Sequence, residues 1–236
     1  MKLAYSILIA FMCMLSTSNV FSQQKLFIDS LQYVVVDSSK IYGTLTIPLT
    51  KKIGPVMLII AGSGPTDRDC NQPTGKTNAY KQMAEALALK GIATLRYDKR
   101  GIGKSAISMG EGTLRFDHYI DDAVLWIKKL KADKRFNKVI VCGHSEGSLI
   151  GMVAAQKEAA SAYISIAGAS QSIDQILKKQ LAIAIMDSEY YSKACLYLDT
   201  LKSGKLLTNP DPLLNSLFRP AIQPYMINWM KYNPSE

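Results

Sequence analysis

Histidine and cysteine are scarce in this chain of 236 residues, and their scarcity excludes most metal sites. There are two histidines, His118 and His144, and four cysteines, none of which stands in a C-x-x-C pair. A structural or catalytic zinc ion needs three or four such ligands at characteristic spacings. No set of residues in the sequence has that spacing, so we predict no metal site.

A complete disulfide framework is also missing. Cys13 lies in an apolar N-terminal segment that we expect to be removed, which leaves Cys70, Cys142 and Cys195. An odd number of cysteines cannot pair completely. Cys142 ends an apolar run, and we therefore predict that it is a small buried hydrophobic residue.

The chain has no run of concentrated positive charge, although its formal net charge is +9. The lysines occur singly or in short pairs, and no basic stretch alternates with aromatic residues in the way that nucleic-acid-binding surfaces do. We interpret the charged residues as part of the solvated surface and expect no nucleic acid among the partners.

No apolar run reaches the length of about 20 residues that spans a bilayer as a helix. A shorter run, residues 3–15, follows Lys2 and leads into a polar stretch that ends at Ser22. This order is typical of a secretory signal peptide cut near Ser22. We predict export to the periplasm or the extracellular space, with no stable membrane insertion after cleavage. A membrane anchor is the alternative interpretation.

The segment that follows alternates between apolar runs and amphipathic stretches. Continuous apolar runs are typical of parallel strands that are covered on both faces, and stretches with a period of 3.6 residues predict helices. The predicted strands cover residues 32–36, 40–48, 56–60, 93–97, 138–142 and 163–167, with the first two forming an edge hairpin. The predicted helices cover residues 78–90, 116–131 and 145–156. The series predicts an α/β fold with a mostly parallel, doubly wound sheet.

The alternation stops at Ser172, and the rest of the chain has only helical patterns. We predict helices over residues 173–186, 188–203 and 213–232, with Pro220 and Pro224 starting or kinking the last one. Aromatic residues are frequent in this region, as they are in the walls of ligand pockets. We therefore divide the chain into a signal peptide (1–22), a core (23–171) and a helical lid region (172–236). Plain helix packing against the sheet is the alternative for the last part.

The motif that carries chemistry is G-H-S-E-G at residues 143–147. It follows an apolar strand and opens a predicted helix, which is the context that a nucleophile elbow requires. The two glycines leave room for a sharp turn that exposes the Ser145 hydroxyl above the strand ends. His144 is adjacent in sequence, so we expect its side chain to point away from the Ser145 hydroxyl and to serve in packing or positioning.

An oxyanion hole needs two backbone N–H groups that point to one position. The residue after the nucleophile, Glu146, supplies one. The loop after the strand at 56–60 supplies the other, and Gly62 and Ser63 lie there, with Ser63 as the first choice. A simple glycine-rich turn is the alternative interpretation of this loop.

Three motifs together resemble bacterial α/β-hydrolase esterases, near the branch of serine aminopeptidase-like hydrolases and small exported carboxylesterases. They are A-G-S-G-P-T-D-R-D (61–69), R-Y-D-K-R-G-I-G-K-S (96–105) and G-H-S-E-G-S (143–148), and the resemblance extends over residues 30–232. It implies a carboxylic ester or short acyl substrate, a Ser-His-Asp triad and no cofactor. Cys70 replaces an expected glycine, and His118 stands where an acidic residue is common.

The resemblance also exposes a missing group. In this fold the acid and the histidine of the triad follow the serine in sequence, but neither histidine of this chain lies after Ser145. We expect the triad aspartate and histidine beyond the chain end, in a C-terminally truncated sequence. His118 is a weaker candidate for a relocated base, and Asp211, between two prolines, is a poor triad acid.

Three functions follow from these residues. The first is an ester hydrolase with Ser145 as nucleophile, and the second is a peptidase or amidase with the same groups. The third is a catalytically silent hydrolase or ligand-binding module, which the missing histidine favours. The sequence leaves the natural substrate and the oligomeric state open.

Overall fold

A six-stranded sheet forms the centre of the fold in a computed structural model that describes residues 26–49, 54–106 and 110–236. The predicted signal peptide lies outside these residues. The strands of this sheet are β1 (Phe27–Val36), β2 (Ser39–Pro48), β3 (Gly54–Ile60), β6 (Ala93–Tyr97), β7 (Phe136–His144) and β8 (Ala162–Ile166). Two short strands, β4 (Asn71–Gln72) and β5 (Gly75–Lys76), pair separately. The spatial order of the large sheet is β1-β2-β6-β3-β7-β8.

The predicted edge hairpin is confirmed and is longer than the sequence pattern indicated. β1 and β2 pair antiparallel from Phe27 with Pro48 to Val36 with Ser39. The two turn residues, Asp37 and Ser38, both have positive φ, at 47° and 64°. Such turns match the twist of the flanking strands, and aspartate tolerates this backbone conformation better than most residues.

The remaining four strands of the sheet run parallel, which confirms the predicted doubly wound α/β architecture. The helices that connect them are α1 (Ala79–Ala88), α2 (Phe116–Ala132) and α3 (Glu146–Lys157). Residues Val56–Ile60 of β3 are buried on both faces, as expected of a central strand between two helical layers. The predicted face of α2 is largely buried, and Trp126, which the pattern did not single out, is fully buried with it.

The helical region differs from its prediction at the C-terminal end. Helices α4 (Ile173–Ala184) and α5 (Ser188–Lys202) occur where they were expected, but a single helix over 213–232 is wrong. Two short helices, α6 (Asn215–Phe218) and α7 (Gln223–Trp229), alternate with 3₁₀ turns at Pro212–Leu214 and Pro220–Ile222. Proline lacks the N–H that a continuous helix uses, so Pro220 and Pro224 start new segments.

Aromatic packing attaches α7 to α2. The Phe116 ring stacks on Trp229 with centroids 5.4 Å apart, and it also contacts Tyr225 and Tyr232. Asp117 adds polar contacts, because its backbone N–H donates to Asn228 Oδ1 at 2.8 Å and its carboxylate accepts from Asn228 Nδ2 at 2.8 Å and from the Tyr232 hydroxyl. None of the helices in the described part of the chain is both long and apolar enough to cross a membrane.

Asp117→Asn is expected to weaken this attachment in a pH-dependent way. Burial opposes ionisation of Asp117, but hydrogen bonds from Tyr232 and Asn228 outweigh it and hold the pKa of the carboxyl below its ordinary value of 3.8. A carboxyl with a lowered native pKa stabilises the fold above its unfolded pKa and loses this effect as pH falls through the native value. The stability difference between wild type and variant should therefore be full above pH 3.8 and should shrink in stronger acid.

Urea unfolding across this pH range measures the difference. Asp121→Asn is the matched control, because Asp121 lies on the same helix, its side chain is 61% exposed, and among the described residues it forms an ion pair only with exposed Lys157. A stability loss in Asp117→Asn that stays constant with pH would contradict the assignment.

Candidate active site

Ser145 occupies the turn between β7 and α3 with a strained backbone. Its φ of 52° and ψ of −120° lie in a region that residues with a Cβ avoid, at a cost of about 1–3 kcal/mol. Its N–H donates to the Ile166 carbonyl at 2.9 Å, and its carbonyl accepts from Ser148 N–H at 2.9 Å. These bonds keep the turn in place, and the Ser145 side chain remains partly accessible.

The glycines on either side of Ser145 make this turn possible. A Cβ on Gly143 would collide with the Gly147 carbonyl, and a Cβ on Gly147 would collide with the Ile60 and Ala61 carbonyls of the neighbouring strand. Ser148 closes the turn, because its hydroxyl donates to the Gly143 carbonyl at 2.6 Å. The local geometry is that of a nucleophile elbow.

The loop after β3 reaches Ser145, as the sequence predicted. A Cβ placed on Gly62 would lie 3.3 Å from the Ser145 Cβ, so the two backbones pack closely. Within the described residues, neither the Ser63 N–H nor the Glu146 N–H donates a hydrogen bond. Ser63, Ser145 and Glu146 also line one cavity. The structure thus brings the four predicted site residues together.

Two cavities meet at Ser145. One has a volume of about 410 Å³, and polar groups from β4, β5 and their surroundings, such as Thr66, Gln72 and Tyr80, contribute to its wall. The other has a volume of about 430 Å³ and is lined mainly by apolar side chains of the helical region. Those side chains include Ile173, Ile176, Leu177, Leu217, Met226 and Trp229. A hydroxyl at this position can therefore meet a ligand with one polar and one apolar part.

Neither histidine forms a hydrogen bond with the Ser145 hydroxyl. His144 Nδ1 lies 3.0 Å from the Tyr80 hydroxyl. Burial raises the pKa of Tyr80, so the phenol stays protonated. His118 Nδ1 accepts from the Arg115 N–H at 3.2 Å at the start of α2, and His118 lines neither of the two cavities at Ser145.

The chain matches a known family over the part that carries this geometry. The family described as serine aminopeptidase, S33, matches residues 74–204, which is more than half of the chain. The chain belongs to this S33 family. The resemblance inferred from the three motifs is therefore confirmed.

One relative of this S33 member is named as an esterase. Esterase EstD of Thermotoga maritima is 31% identical over 140 residues, which are 59% of this chain and 33% of that protein. The match thus spans about a third of the length of that esterase.

Solved structures show the same α/β-hydrolase fold. Est1E of Butyrivibrio proteoclasticus with bound ferulic acid has a TM-score of 0.51 at 24% identity, covering 63% of this chain and 56% of that one. Acetyl xylan esterase 1 of Thermoanaerobacterium sp. JW/SL YS485 has a TM-score of 0.56 at 15% identity, covering 88% and 64%. At these identities the likeness establishes the fold alone.

The second motif of the S33 member, residues 96–105, organises the loops around the site. Asp98 accepts from the Arg68 N–H at 2.8 Å, from Arg68 Nη2 at 2.6 Å and from the Lys104 N–H at 2.8 Å. Arg100 forms a two-point pair with buried Asp122 at 2.6 and 2.8 Å. Sequence reasoning recognised this motif but assigned no role to its charges.

Cys70 has a φ of 72°, a left-handed conformation that favours glycine. This backbone conformation explains why a glycine is expected at position 70. Cys70 lines the 410 Å³ cavity as a free thiol, and buried Cys142 is free as well. No group of metal-ligating side chains occurs among residues 26–49, 54–106 and 110–236.

Proposed function

We propose that this chain carries the nucleophile of a carboxylic ester hydrolase, which forms an acyl-enzyme on Ser145. The observation that carries the proposal is the strained Ser145 turn, which presents an accessible hydroxyl beside two free N–H groups. Strain at a turn of this kind persists only where the surrounding structure maintains it, and it is concentrated at functional sites. The likeness to Esterase EstD supports an ester substrate.

The proposed reaction proceeds in two steps. The Ser145 Oγ attacks the ester carbonyl, and the carbonyl oxygen becomes an oxyanion held by the Ser63 and Glu146 N–H groups. The N-terminus of α3, which begins at Glu146, adds a favourable field for this negative charge. The C–O bond then breaks, the alcohol leaves with a proton, and water hydrolyses the acyl-Ser145 ester.

The proton of Ser145 needs an acceptor. His144 is bonded to Tyr80 and His118 to Arg115, so neither is placed to act. We propose that a histidine and an aspartate that are not among these 236 residues complete the triad. Without a base the Ser145 hydroxyl stays a weak nucleophile, and acylation of this chain should be slow.

The two cavities at Ser145 indicate a small ester with an apolar group on one side. The 430 Å³ cavity takes the apolar part, and residues 172–236, which supply most of its wall, act as a lid. The division into core and lid is thus part of the proposal. So is export after cleavage near Ser22.

A peptidase activity is the second candidate, because the matching family is described as a serine aminopeptidase. Both activities need the same nucleophile and the same oxyanion donors. They differ in the leaving group, since an amide leaves only with help from a general acid. Release of p-nitroaniline from an acyl p-nitroanilide at a rate comparable with ester cleavage would favour the peptidase.

Acyl transfer to Ser145 is the test of the proposal. The full chain is incubated with p-nitrophenyl butyrate, quenched in acid and digested, and the peptides are analysed by mass spectrometry. We expect one butyryl group on the peptide that contains Ser145, because this hydroxyl is the one beside free oxyanion donors. Butyryl groups on surface lysines alone would contradict the proposal and favour a silent, ligand-binding module.

A further inference from the structure

Lys99 is a buried cation next to the oxyanion loop that the proposed reaction does not use directly. It is 2% exposed, and its Nζ donates to the Gly62 carbonyl at 2.5 Å. The same Nζ lies 3.7 Å from Glu146 Oε1 and 5.2 Å from the centre of the Tyr119 ring. A charge buried this deeply is retained only with partners that compensate its lost hydration.

The contact with Gly62 has a consequence for Ser63. The Gly62 carbonyl and the Ser63 N–H belong to one planar peptide group and point in opposite directions. When Lys99 holds the carbonyl on one side, the N–H is held in the opposite direction, and Ser63 lines the same cavity as Ser145. The ammonium also draws electron density from the carbonyl, and hydrogen bonds in such a chain strengthen one another.

The contact with Glu146 concerns the second donor. Glu146 is the first residue of α3, and its N–H is the other proposed oxyanion donor. Its side chain is 4% exposed, and Oε1 forms no hydrogen bond with any described residue. Lys99 is the cation that pairs with this carboxylate, so the position of Glu146 depends on it.

We propose that Lys99 is the positioning residue of the oxyanion hole. Its single ammonium group contacts the Gly62 carbonyl, which shares a peptide group with the Ser63 N–H, and the side chain of Glu146, whose N–H is the other donor. The inference rests on the proposed function. It differs from a role in stability alone, which would require a partner for the buried charge but no particular effect on the Ser63 N–H.

The test uses the full chain labelled with ¹³C and ¹⁵N. Lys99→Met removes the ammonium at similar side-chain length, and Glu146→Gln removes the carboxylate charge but leaves the Lys99–Gly62 bond. We expect Lys99→Met to shift the Gly62 carbonyl carbon and the Ser63 and Glu146 amide signals. Glu146→Gln should shift only the signals around residue 146. Lys128→Met is the control, because Lys128 also pairs with a glutamate, Glu158, but is 57% exposed.

A folded Lys99→Met variant with wild-type Gly62 and Ser63 signals would overturn the proposal. If this variant does not fold, the double variant Lys99→Met/Glu146→Gln replaces it, because it leaves no unpaired carboxylate. A wild-type measurement is independent of both variants. A scalar coupling across the hydrogen bond from the Lys99 ammonium to the Gly62 carbonyl is expected, and its absence would overturn the proposal.

The kinetics of Ser145 acylation distinguish a positioning role of Lys99 from a role in stability alone. In Lys99→Met the rate constant for acylation of Ser145 by p-nitrophenyl butyrate should fall about tenfold to a hundredfold, less than the 10²–10³-fold loss on removing an oxyanion donor. The ester concentration at half-maximal rate should stay unchanged. An unchanged rate constant would overturn the inference. A wild-type chain without acylation at Ser145 would instead overturn the proposed function, and the NMR signals would still decide on Lys99.

Discussion

Ser145→Ala is expected to abolish acyl transfer from p-nitrophenyl butyrate to the peptide that contains residue 145. Alanine lacks the Oγ that forms the acyl ester, and it keeps the Cβ that the turn already accommodates at a φ of 52°. The fold should therefore be unchanged, and the loss of adduct should be complete. Peptide mass spectrometry after incubation to a plateau measures the effect.

The final amount of butyryl adduct is a better measure of Ser145 in this experiment than the rate of turnover. In serine hydrolases the triad residues act as a unit, so that losing the serine in addition to the base costs little further turnover. Neither histidine of this chain forms a hydrogen bond with the Ser145 hydroxyl, and overall p-nitrophenol release is then a poor measure of Ser145. For the same reason we expect a fluorophosphonate probe to label the wild type slowly and Ser145→Ala not at all.

Ser192→Ala is the matched control for this substitution. Ser192 is exposed on α5, and its hydroxyl donates only to the Ser188 carbonyl of its own helix, at 2.8 Å. The Ser192→Ala variant should acquire the same butyryl group as the wild type, on the peptide that contains residue 145. Butyryl transfer that persists on this peptide in Ser145→Ala would refute the nucleophile assignment.

Gly147→Ala is expected to cost a large part of the stability of the fold. The added Cβ would lie against the Ile60 and Ala61 carbonyl oxygens, which belong to the backbone at the end of the central strand. A flexible side chain could move away, but this strand is paired on both sides, with β6 and β7. Overpacking in a core costs about 1–3 kcal/mol where neighbours can adjust. Here we expect about 4 kcal/mol or more, out of about 5–15 kcal/mol for a typical domain.

Urea unfolding of the two proteins measures this loss. Gly112→Ala is the control, because Gly112 is exposed and a Cβ there meets nothing within 4 Å. Its free energy of unfolding should stay within about 0.5 kcal/mol of the wild type. If Gly147→Ala were as stable as Gly112→Ala, the close approach of α3 to β3 would be wrong.

The strands and the first three helices could be predicted because their signals are local. The run at 56–60 is apolar at every position, and only a strand covered on both faces buries such a run. The G-H-S-E-G turn is equally local, since its glycines act within five residues of chain. The prediction of a single helix over 213–232 was wrong for a local reason as well. Pro220 and Pro224 interrupt the helix, although the apolar residues follow a helical period.

The missed features depend on residues that are distant in sequence. No pattern in the sequence indicates that the Lys99 ammonium would reach both Gly62 and Glu146. That meeting follows from the order of β6, β3 and β7 in the sheet, which places three loops at one edge. The cavity wall supplied by α4, α6 and α7 depends in the same way on how Phe116 and Asp117 attach the end of the chain.

The sequence by itself therefore determined that this protein has an α/β-hydrolase core, and it placed Ser145 in a sharp strand-to-helix turn between two glycines. Periodicity and glycine sterics act over a few residues, and they can be read without coordinates. Only the tertiary structure decided which buried charges contact the loop after β3, which cavities meet at Ser145, and which hydrogen bonds the two histidines form. Those contacts depend on the pairing of distant strands, which short sequence patterns do not encode.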